Sequence, residues 1–233
     1  SDHISEVITR ADKLYSNVVI NLSLQDLSKL KKTDKHVLKL NAEVDALKDE
    51  AFYFIKSLDD SSVEASRFYL MVLGYLQDIS QSISYISKAS YKHVNNNHKQ
   101  LKTDQIEDLK IIDEQLSKML KEISVIFHER RFGDISKIVD EKHQLFEHVS
   151  KSIERQINRI RSEESSAKNT TLYFGKFVSN DPAVKRDFLF RKLGTPKRDL
   201  SAAPIFCNVN GTYPTVTIVT DIMSKFTSLC TSN

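Results

Sequence analysis

Residues 36–58 read HVLKLNAEVDALKDEAFYFIKSL, and their apolar positions decide the fold class. Val37, Leu40, Val44, Leu47, Ala51, Phe54 and Leu58 advance in alternating steps of three and four. That spacing lays one apolar stripe along a helix and leaves Lys, Asp and Glu on the wet faces. The same rhythm recurs in Tyr69, Val72, Leu76, Ile79, Ile83 and Ile86, and again in Leu109, Ile112, Leu116, Met119, Ile123 and Ile126. A fourth, slightly drifting seam runs through Phe146, Val149, Ile153, Ile157 and Ile160. Four seams of this kind predict long helices packed at shallow crossing angles. Val44, Leu47, Leu76 and Ile79 are expected to face the core.

The breaks between seams agree. All four prolines, Pro182, Pro196, Pro204 and Pro214, lie beyond residue 180, and only Gly74 and Gly133 interrupt the first 174 residues. Both residue types are unfavourable inside helices, so the chain divides into a helical body over 1–175 and an irregular tail over 176–233. The expected helices are 2–21, 24–58, 62–95, 104–130 and 134–165. Ser61 with Glu64 suits a capping box, Asp104 with Glu107 is expected to cap the next helix, and Gly133 suits a left-handed C-cap. Asn95-Asn96-Asn97-His98 reads as a turn, with His93 and His98 as exposed residues flanking it. Short connections between long helices imply antiparallel neighbours. In the tail, residues 215–219 alternate like a strand, but the apolar pieces are too short and scattered to bury much area.

Composition excludes several function classes. The chain has 233 residues, 40% of them hydrophobic, and a formal charge of +3. The excess sits in the tail, where eight basic residues face four acidic ones; the body is close to neutral with mixed signs. That is the wrong footprint for a nucleic-acid backbone binder. Cys207 and Cys230 form no zinc spacing and no disulfide framework, so a reducing compartment is the default. No apolar run is long enough to span a bilayer. The chain opens on Ser1, as a fragment of a longer polypeptide would.

Few side chains have spacing that could carry chemistry. Asp45 and Asp49 stand four apart on one helix face beside Glu43 and Glu50, half of a carboxylate metal site or a solvated acidic face. Asp140, His143 and Glu147 share another face and could hold a divalent transition metal. Phe52, Tyr53, Phe54, Phe68, Tyr69 and Tyr85 are expected in the core. Nucleophile elbows, glycine-rich phosphate loops and H-E-x-x-H motifs are all missing from the sequence, so it reads as non-catalytic.

The runs EASRFYLMVLGYLQDISQSISYI (64–86), SYKHVNNNHK (90–99) and RIRSEESSAKNTTLYFG (159–175) carry a resemblance. Residues 1–175 resemble the cytoplasmic C-terminal region of bacterial sodium-dependent phosphate cotransporters. That region is itself similar to PhoU, the phosphate-uptake regulator. The resemblance implies an all-α, PhoU-like antiparallel bundle and a regulatory role in phosphate uptake at the cytoplasmic face of the bacterial inner membrane. As partner it implies the transmembrane transporter portion of the same polypeptide, with a homodimer also open. PhoU proteins bind metal clusters through acidic surface motifs. Asp45-Ala-Leu-Lys-Asp49 matches one of these, whereas the second, usually E-R-I-G-D, reads Gln77-Asp78-Ile79-Ser80-Gln81 here. Replacing both outer acids by Gln77 and Gln81 weakens a divalent or trivalent metal site, so no tightly held cofactor is expected. The alternative is a structural bundle or coiled-coil dimerisation module without a transport role.

Overall fold

The computed structural model describes residues 2–56 and 63–162, together with 169 and 172. Five α-helices account for almost all of it: α1 (Asp2–Ser23), α2 (Leu27–Ile55), α3 (Val63–Asn95), α4 (Thr103–Glu129) and α5 (Ile138–Arg161). A 3-10 helix (Phe132–Lys137) leads into α5. The described residues contain no strand, so the all-α bundle expected from the seams is what the chain forms. The tail over 176–233 and the capping pair Ser61 and Glu64 lie outside the described residues or side chains.

Helix α1 is the hub. It packs on α2, α3 and α4, while α2 and α3 form one hairpin and α5 lies on α4. Cross-helix contacts fix the directions. Ser5 meets Ser124 and Ser16 meets Asp113, so α1 and α4 run antiparallel. Arg159 meets Asp104 and Gln115 meets His148, so α4 and α5 do too. One contiguous core threads all five helices and includes Leu101 and Leu172. Val37, Leu40, Val44, Leu47 and Ala51 from α2 and Val72, Leu76, Ile79, Ile83 and Ile86 from α3 are all buried, as their spacing predicts.

The ends of the seams behave differently. Phe54 and Tyr69 are exposed, near the end of the hairpin where α2 leads into α3. Phe52 and Tyr53 are exposed as well, against the expectation that these aromatics are core. Ala51 points inward, and at about 100° per residue its next two neighbours must leave that face. On α5 the inward line passes through Leu145 rather than Phe146, which is exposed. Further along, Gln156 and Arg159 are buried, and Ile157 and Ile160 are only partly so.

Helix boundaries also shift. Gln25 adopts a left-handed φ of 53° between α1 and α2, and Asp26 then caps α2 by accepting from the Lys29 N–H at 2.9 Å. That bond holds the Asp26 carboxyl below its ordinary range. The start of α4 is braced by Gln105, whose Oε1 accepts from the Lys102 N–H at 2.9 Å. Asp104 is free of capping duty because it pairs with Arg159 instead. The left-handed C-cap of α4 is Arg130, with φ 56°, and not Gly133, which sits inside the 3-10 helix. The asparagine turn follows expectation, with Asn97 at φ 53°.

Candidate functional site

The acidic stripe lies on the outer face of α2. Asp45 and Asp49 are both exposed, one turn apart. Helix α3 presents Gln77 to Asp45, and the Gln77 amide N–H donates to Asp45 Oδ1 at 2.6 Å. On its other side Gln77 Oε1 accepts from Lys48 Nζ at 2.6 Å. The facing residue is therefore an amide whose hydrogen atoms point at the carboxylate, and an ammonium completes the row. A cation at Asp45 would have to displace an N–H donor and sit beside Lys48. These residues fit a polar tie between α2 and α3 and do not fit a two-motif metal cluster. Gln81 is exposed one turn further along.

No three His, Cys, Asp or Glu side chains converge among the described residues. Asp140, His143 and Glu147 are all exposed, and Glu147 pairs with Lys151 at 2.7 Å, which lowers its carboxyl pKa. His93 is buried, contrary to its expected exposure. The chain folds back after α3, so that His98 N–H donates to His93 O and the His93 ring Nε2 meets Lys99 O at 3.0 Å. The ring stitches a turn closed, which the residue spacing alone does not reveal.

Two polar seams run through the bundle. Between α4 and α5, Arg155 places Nη2 2.5 Å from Asp108 Oδ1, and Arg159 bridges Asp104 and Asp108 at 2.5 and 3.3 Å. Gln105 and Gln156, both fully buried, bond to each other at 2.8 Å, and Arg159 also donates to Gln156. Between α1 and α4, the hydroxyls of Ser5, Thr9 and Ser124 form a small knot. Below it Ser16 donates to Asp113 at 2.7 Å. Burial pushes the Asp113 carboxyl up to about 6; the Ser16 hydroxyl opposes the rise, and Asp12 and Glu114 add to it. Asp12 is raised by burial too, against the Ser117 hydroxyl and Lys121.

A cleft of about 480 Å³ opens between α1 and α2. From α1 it is lined by Arg10, Lys13, Leu14, Asn17 and Asn21, and from α2 by Lys29, Lys32, Thr33, His36 and Lys39. Among the described residues its lining holds no carboxylate. Glu43 pairs with Arg10 at one end and Asp26 with Lys29 at the other, the second at 3.1 Å. The near-neutral charge of the body thus conceals a strong local segregation. The signal that could have found it is the 3, 4, 3 spacing of Lys29, Lys32, His36 and Lys39.

Compared with known proteins, the chain matches no family model, no curated protein and no solved structure.

Proposed function

We propose that this chain is a non-catalytic regulatory domain of a sodium-dependent phosphate transporter, acting on phosphate uptake from the cytoplasmic face of a bacterial inner membrane. The observation that carries the reading is the resemblance of residues 1–175 to the cytoplasmic tails of such transporters. The all-α bundle is compatible with it, with α1 joining the α2–α3 hairpin to the α4–α5 pair. The partner is the transmembrane portion of the same polypeptide. None of the described helices is itself long and apolar enough to cross a membrane.

Labelled-phosphate uptake tests this in cells carrying the complete polypeptide. Deleting residues 1–175 should alter how uptake depends on external phosphate at equal amounts of inserted transporter. An unaltered dependence would sink the reading, as would upstream coding sequence without apolar spanning segments. The runner-up, a dimerisation module, is favoured by one observation: Phe52, Tyr53 and Phe54 are exposed together on α2. Light scattering that shows a dimer disrupted by Phe52→Ser and Phe54→Ser, with uptake unaffected, would favour that second reading.

A further inference from the structure

The cleft between α1 and α2 gathers positive charge that the bundle leaves uncompensated. Lys29, Lys32, His36 and Lys39 fall on one face of α2, and Lys13 faces them from α1. Arg10 and Lys29 have carboxylate partners at the two ends. Between them, the side chains of Lys13, Lys32, His36 and Lys39 make no ion pair or hydrogen bond among the described residues. Like charges three and four residues apart destabilise a helix. Here that repulsion is built into the rim of a cleft whose size lies within the range of about 300–1,000 Å³ usual for small-molecule sites.

We propose that this cleft binds a ligand through its phosphate groups, an oligophosphate or a phosphate ester of high negative charge. Three lysine ammonium groups act as compact point charges toward phosphate oxygens. Asn17 and Asn21 in the lining add neutral hydrogen-bonding groups, and Leu14 gives an apolar patch. A ligand with a single charge would leave most of the cations uncompensated, so the site selects for several phosphate charges. The assignment stands on the cleft alone and holds whether or not the transporter reading does. The same phosphate chemistry is available free in solution or on a lipid headgroup.

Calorimetry on the full chain at low ionic strength, where surface charge is least screened, provides the first arm. Tripolyphosphate should bind saturably and more tightly than orthophosphate. Removing two cations, Lys32→Gln with Lys39→Gln, should weaken it by about tenfold or more. Both lysines are exposed, so the variant keeps its fold, which circular dichroism verifies. The control, Lys88→Gln with Lys110→Gln, removes the same charge from exposed positions outside the cleft and should change affinity by less than about twofold. The second arm is sedimentation with phosphatidylcholine vesicles with and without cardiolipin, whose headgroup carries two phosphates. Tripolyphosphate binding lost in the cleft variant supports a soluble source. Cardiolipin-dependent sedimentation lost in that variant, without tripolyphosphate binding, supports a headgroup source. Neither probe binding saturably, or equal losses in cleft and control variants, overturns the site.

Discussion

The α4–α5 seam and the α1–α2 cleft both gather basic side chains, and the fold treats them in opposite ways. In the seam, Arg155 and Arg159 each rest on a carboxylate from the facing helix, and the four charges of Asp104, Asp108, Arg155 and Arg159 cancel. In the cleft, Lys13 on α1 faces Lys32, His36 and Lys39 on α2, with no acid among the described lining residues. Guanidinium groups suit the first setting, because their rigid fork matches a carboxylate and tolerates burial better than an ammonium. Exposed ammonium groups suit the second, where water solvates them until an anion arrives. The difference separates charge that holds two helices in register from charge held ready for a ligand.

The largest expected effect breaks the seam. Arg159 is only 7% exposed, and removing it leaves Asp108 buried with one partner fewer. Arg159→Ala should cost about 3 kcal/mol, the low end for breaking a buried pair because Arg155 remains. Urea denaturation reads it directly. Stability equal to the parent's would mean that the seam contributes nothing and the contrast with the cleft is empty.

A smaller effect comes from the α1–α4 interface, which is the cleft's mirror image, with acids in excess. The Asp113 carboxyl is raised from 3.8 to about 6, so the folded state takes up its proton more readily than the unfolded chain. Its contribution to stability is then fully present below about pH 3.8 and is lost as pH rises through about 6. Asp113→Asn should remove that loss, so the variant's melting temperature gains on the parent's between about pH 4 and pH 7. Melting curves for the two proteins that stay parallel across this window would remove Asp113 from the account. The other charges facing it are Asp12, Glu114 and Lys121.

The smallest expected effect concerns the cleft itself. Lys32→Gln removes a charge that makes no ion pair among the described residues and relieves repulsion within α2. Without ligand its melting temperature should be unchanged or slightly higher. A fall of several degrees would show that Lys32 is held by the fold, and the distinction between seam and cleft would collapse.

What could be read from residues alone is uneven, for physical reasons. The α2, α3 and α4 seams were legible because apolar periodicity is a local property that burial then rewards: Val44, Leu47, Leu76 and Ile79 are inside. On α5 the same rule picked Ile157 and Ile160, yet Gln156 and Arg159 are the more deeply buried. Polar groups go inside when a facing helix offers partners, and Gln105, Asp104 and Asp108 do. His93 is buried for a related reason, since its partner, Lys99 O, comes from the chain's own return after the turn.

The sequence by itself determined that this chain makes long amphipathic helices joined by short turns, because helix period, proline placement and turn residues act within a few residues of one another. Only the tertiary structure decided which charges meet. Asp45 and Gln77 are 32 residues apart and become bonded neighbours. Lys13 and Lys39 lie on different helices and line one cleft, where neither has an ion-pair partner among the described residues. Pairing energies depend on distances of a few ångströms, and those are set only when α1 packs between the α2–α3 hairpin and α4.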